Sequence, residues 1–215
     1  MKLMPALPES IFDIGYLAFA IISGVLMLKN AKGRRLAKLF GTMALVLGCG
    51  DAFHLIPRVL HYFTNLNLTA ALGIGKLVTS VTMTVFYVLL EYARRERYGD
   101  ARKGVLLATW ILAAVRIVLC CLPQNAWASE NPPLLWGILR NIPFVIMGVM
   151  CVILWAISAK EDKPLRFLWL YVLLSFAFYI PVVLFAQSVP IIGMLMLPKT
   201  VMYILMIVSF KKSLK

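Results

Sequence analysis

Leu45–Phe63, LVLGCGDAFHLIPRVLHYF, is apolar and long enough to cross a bilayer, yet it carries Asp51, His54, Arg58 and His61. At about 100° per residue, their spacings of three, four and three keep all four on one helical stripe. An acidic or basic group at the centre of a span costs about 2.5–3.5 kcal/mol on insertion scales, and such groups face a bundle interior or a watery cavity. The segment is therefore one wall of a polytopic bundle, and its stripe is the first pointer to a site.

The rest of the chain agrees. Of its 215 residues, 62% are hydrophobic and 14% charged, too little polar surface for a soluble domain of this length. The mean hydropathy is +0.88. Seven apolar runs are long enough to span: roughly 11–28, 39–63, 71–92, 104–122, 134–158, 166–187 and 191–210. The expected fold is all-α, a single seven-helix transmembrane domain over 1–215, with connections too short for any separate soluble unit.

A net charge of +13 would point to nucleic acid in a soluble chain, but its distribution excludes that reading here. Lys29, Lys32, Arg34, Arg35 and Lys38 cluster between spans 1 and 2, and Arg94, Arg95, Arg97, Arg102 and Lys103 between spans 3 and 4. Lys160, Lys163 and Arg166 lie between spans 5 and 6, and the tail ends in Lys211, Lys212 and Lys215. The opposite side has only Lys2, in a terminus. Positive connections favour the cytoplasm, so the amino terminus is expected outside and the carboxyl terminus inside, in a plasma membrane such as the bacterial cytoplasmic membrane. The four cysteines (Cys49, Cys120, Cys121 and Cys151) fall in spans without CxxC spacing and read as buried thiols.

An internal repeat is expected. AFHLIPRVL in span 2 and AFYIPVVLF in span 6 place Pro57 and Pro181 at matching points, and Lys76 and Lys199 match in the spans that follow. Two three-helix units, about 9–98 and 132–215, would then flank a linker helix at about 104–122 and run parallel. This three-plus-one-plus-three plan is similar to that of SWEET transporters, the KDEL receptor and other PQ-loop proteins.

With that orientation, Arg58, Arg116, Lys76 and Arg140 fall in the outer half, and Asp51 and Lys199 near the midplane. Five cations then face two carboxylates, Asp13 and Asp51. Buried cations without partners need water or an anion. The expectation is an outward-opening basic cavity lined by Asp51, His54, Arg58, His61, Lys76, Ser80, Arg116, Arg140 and Lys199. It would take an anionic small molecule or a phospholipid headgroup, for transport or sensing. The structural alternative has the arginines snorkelling outward, Asp13 capping helix 1 and Asp51 pairing with Lys76 or Lys199. Segment 3 carries a second stripe, Lys76, Ser80, Thr84, Tyr87 and Glu91, of the kind that packs helix on helix. No cofactor is indicated. A metal would have only His54 and His61, with Asp51 or Asp13 as the third ligand, a thin set against the three protein ligands of a catalytic zinc.

Gly50–Arg58, GDAFHLIPR, resembles the GDA-x-x-L-x-P-R segment of the YhhN-type lysoplasmalogenases, small polytopic hydrolases that cleave a vinyl ether. The resemblance implies that Asp51 is a catalytic carboxylate that protonates the vinyl ether, with Arg58 and Lys76 holding the phosphate. A looser likeness to rhodopsins rests on Lys199 alone, as a Schiff-base lysine for retinal.

Overall fold

A computed structural model describes residues 3–64 and 66–215. Lys2 lies outside them. Seven α-helices cross the molecule: α1 (Leu3–Lys29), α2 (Arg35–Phe63), α3 (Thr69–Tyr98), α4 (Lys103–Cys121), α5 (Leu134–Ser158), α6 (Leu168–Phe185) and α7 (Met196–Ser213). Each of the seven spans is long and apolar enough to cross a membrane, and no strand occurs among the described residues. In hydrocarbon the backbone must satisfy its own hydrogen bonds, which such sequences can do only as helices.

Each helix packs against its neighbours in the chain, and α7 closes the ring on α1. Further contacts join α3 with α5 and α2 with α7. At the closure, the rings of Phe40 and Phe210 stack with centroids 4.3 Å apart. The centre is aromatic: Tyr87 meets Phe144 edge-on at 5.1 Å, and Phe144 meets Phe176 at 4.9 Å. The periphery is aliphatic, with Ile157 and Ile191 each 71% exposed. Apolar side chains thus face outward around the bundle, while the interior holds Asp13, Glu91, Arg94, Arg116 and Lys199.

Three helices differ most from their expected limits. Helix α1 starts at Leu3, so Asp13 sits well inside it and caps nothing. Helix α3 continues to Tyr98 and stops at Gly99, whose φ of +65° is the left-handed cap that glycine adopts freely. Arg94, read above as part of the connection between spans 3 and 4, is consequently buried. It chelates Glu91 through two hydrogen bonds of 2.8 Å, pairs with Asp100 at 2.7 Å and donates to Ser158 Oγ at 3.0 Å. Beside it, Arg97 and Tyr98 donate to Asp162 at 3.0 and 2.9 Å, tying α3 to the α5–α6 connection.

The seventh span is discontinuous: a 3-10 segment, Pro190–Leu195, precedes α7. Pro198 therefore falls in the first turn of α7, where its missing N–H has no intrahelical partner to lose. Lys199, expected in mid-helix, is in that same first turn and is still only 7% exposed.

Candidate functional site

A cavity of about 580 Å³ opens at the end of the bundle away from the basic connections. Helix α2 contributes His54 and Arg58, α3 contributes Lys76, Thr79 and Ser80, and α4 contributes Arg116. Arg140 and Asn141 of α5, Tyr179 of α6 and Lys199 of α7 complete the wall, and Trp127, Ser129 and Glu130 form a rim from the α4–α5 connection. Seven of the nine expected residues thus share one chamber. Asp51 and His61 stand outside its walls: His61 is exposed on the outside of α2, and Asp51 accepts a 2.6 Å hydrogen bond from the Tyr16 hydroxyl behind Lys199.

Close approach of α2 and α3 builds the first wall. A side chain at Gly75 would collide with the Phe53 carbonyl and the His54 backbone. This contact brings His54 Nδ1 to 3.3 Å from the Leu72 carbonyl. On the same face of α3, the Ser80 hydroxyl donates to the Lys76 carbonyl at 2.7 Å. The remainder of the α3 stripe is core: Thr84 and Tyr87 are fully buried, and Glu91 belongs to the Arg94 cluster.

The α4–α5 connection is a built plug. The Asn125 amide donates to the carbonyls of Leu119 and Leu122 at 2.7 and 2.8 Å, and the Trp127 indole donates to that of Cys120 at 2.9 Å. These satisfy the orphan carbonyls at the end of α4. The plug in turn holds Arg140, which donates to Asn125 Oδ1 at 2.8 Å while its guanidinium lies 4.2 Å from the Trp127 ring centre. Sequence reasoning passed over Asn125 and Trp127. The available signal was an Asn just past a helix end, a residue type suited to capping.

The cations are not equivalent. Arg58 forms an ion pair with Glu9, and Tyr62 bridges the two. Glu9 was absent from the expected balance of charges, so Arg58 is not surplus. Lys199 has Asp51 within electrostatic reach, and its Nζ lies 4.6 Å from the Tyr179 ring centre. Arg116 is 2% exposed and stacks 3.2 Å over the Phe144 ring. Its Nε and Nη1 have no hydrogen-bond partner among the described residues. Snorkelling does not describe it. Lys76 lies within electrostatic reach of Arg140, and among the described residues the one carboxylate lining the cavity is the exposed Glu130 on its rim.

On the wall Lys76, Arg116 and Arg140 face Glu130, once Arg58 is assigned to Glu9 and Asp13 and Lys199 to Asp51. Behind the wall, Asp13 is 3% exposed, with one carboxyl oxygen unpartnered among the described residues. No three His, Cys, Asp or Glu side chains converge as a metal-binding group among the described residues. Comparison with protein-family models, curated proteins and solved structures returns no match for this chain.

Proposed function

We propose that this is a multi-pass plasma-membrane protein whose basic cavity opens outward and binds an anionic small molecule or lipid headgroup, for transport or sensing. The observation that carries the reading is Arg116: a buried guanidinium on the cavity wall with two nitrogens lacking acceptors. An unpaired buried charge costs several kcal/mol, and an anion seated in the cavity would offset that cost. Arginine suits the role because its planar fork matches carboxylate and phosphate oxygens.

The outward direction rests on the basic connections, which lie at the other end of the bundle and favour the cytoplasm. We assign α1–α3 and α5–α7 as parallel units about α4. Their matched prolines, Pro57 and Pro181, and matched lysines, Lys76 and Lys199, support this, with both lysines on the cavity wall. Hydrolysis by Asp51 draws less support, because that carboxylate is held by Tyr16 and does not reach the wall.

The test is incubation of purified protein with lysoplasmalogen and with a saturated lysophospholipid, following aldehyde release and ligand-dependent thermal stability together. Stabilisation without aldehyde is the expected result. Aldehyde release that disappears in Asp51→Asn would replace this reading with the hydrolase.

A further inference from the structure

We propose that the ligand is an amphiphile with a phosphate monoester head among Lys76, Arg116 and Arg140, whose single hydrocarbon chain leaves sideways into the bilayer between α5 and α6. The inference rests on the reading of the cavity as an anion site. What adds the chain is a second cavity of about 260 Å³ on the flank of the bundle, walled by Ile138, Ile142 and Ile146 of α5 and Ile180 and Leu184 of α6. It shares Asn141, Tyr179 and Val183 with the basic cavity, so the charged chamber and the apolar groove meet at a common wall.

At that wall the polar atoms are already engaged. The Tyr179 hydroxyl donates to Asn141 Oδ1 at 2.9 Å, and the Asn141 amide donates to the Gly137 carbonyl at 2.8 Å. Nothing in the groove asks for a polar guest. The groove lies along the part of α5 and α6 nearest the basic cavity. Further along α5, a side chain at Gly148 would strike the Phe176 ring, so α5 and α6 are in close contact there and the groove ends. From Ile138 to Ile146 the groove runs about 12 Å along α5, a length suited to part of an acyl chain lying along a helix pair. One gap between one pair of helices takes one chain.

The head is defined by charge. Three cations facing one rim carboxylate suit a phosphate monoester, which carries about −1.5 to −2 at neutral pH. A zwitterionic head would bring an ammonium group against Lys76 and Arg140, with only the rim residue Glu130 to receive it.

The test measures binding to the purified full chain in bilayer nanodiscs, using palmitoyl lysophosphatidate, glycerol 3-phosphate, palmitoyl lysophosphatidylcholine and monopalmitoylglycerol. Ile142→Trp fills the groove; if it does not fold by thermal unfolding, Ile146→Trp is read in its place. Lysophosphatidate is expected to bind at least tenfold tighter than the other lipids. The groove variant is expected to weaken it about tenfold while leaving glycerol 3-phosphate unchanged. Equal binding of all three lipids, an unaffected lysophosphatidate, or a groove variant that alters the oligomeric state would each overturn the proposal. Glycerol 3-phosphate binding that persists in those cases would leave the anion reading standing. Failure of both phosphates to bind would remove the two together.

Discussion

The Arg116 guanidinium lies 3.2 Å over the Phe144 ring centre on the wall of the cavity, with the Cys120 side chain as its hydrogen-bonding neighbour and no carboxylate paired with it among the described residues. The ring face supplies electrostatic attraction worth about 2 kcal/mol in a desolvated setting, less than burial of the charge costs. Arg116→Leu is therefore expected to raise the thermal stability of the empty protein and to weaken anion binding about 10- to 100-fold, from the loss of one charge-assisted hydrogen bond. Lower stability in the empty variant would mark Arg116 as a structural residue.

Tyr16→Phe removes the donor at 2.6 Å from Asp51 and leaves a carboxylate oxygen unsatisfied beside Lys199. The expected loss is about 1–3 kcal/mol of stability, read by thermal or denaturant unfolding in detergent. Asp51→Asn in the Tyr16→Phe background is expected to recover part of it, since an amide costs less to leave unpaired than a charge. Additive losses would argue against a direct link between the two residues.

Arg94 holds Glu91, Asp100 and Ser158 together with a side chain that is 1% exposed. Arg94→Ala is expected to cost about 3–5 kcal/mol, because it strands a buried carboxylate. Arg94→Lys is expected to recover less than half of that, since a point charge cannot replace the bidentate fork. Unfolding midpoints of the two variants decide it.

The same cluster predicts an acid limb. Hydrogen bonds from the Arg102 side chain and backbone, and then from Arg94, hold the Asp100 carboxyl well below its usual value of 3.8. A carboxyl with a depressed folded pKa stabilises fully above its unfolded pKa and loses that contribution as pH falls towards the folded one. The stability gap between the native protein and Asp100→Asn is thus expected to be flat at neutral pH and to shrink below about pH 4. A gap independent of pH would exclude ionisation of Asp100 as its source.

Orientation is tested by labelling. In a background lacking the four native cysteines, Gln124→Cys is expected to react with an impermeant thiol reagent in intact cells, and Lys163→Cys only after lysis. Both positions are exposed. The reverse pattern would invert the proposed topology and turn the cavity to the cytoplasm.

The spans were legible because each is a long apolar run, and a bilayer leaves such a run no alternative to a helix. Gathering His54, Arg58, Lys76, Arg116, Arg140 and Lys199 was legible too, since buried polar groups must find a common interior. The charge balance was not. Glu9 precedes the span expected to start at residue 11 and was not counted among its charges, yet it answers Arg58. Arg94 looked like a cytoplasmic marker because its neighbours Arg95 and Arg97 are basic as well, and only the length of α3 turns it inward. The break before Lys199 was hidden because P-I-I-G-M-L is as apolar as the helix it precedes.

The most direct measurement is equilibrium binding of radiolabelled glycerol 3-phosphate to purified native protein and to Arg116→Leu, with uncharged glycerol as the control. The account predicts saturable binding at about one site per chain in the native protein, at least tenfold weaker in the variant, and none for glycerol. Absence of saturable binding by a folded native protein, or equal binding by the variant, would contradict it.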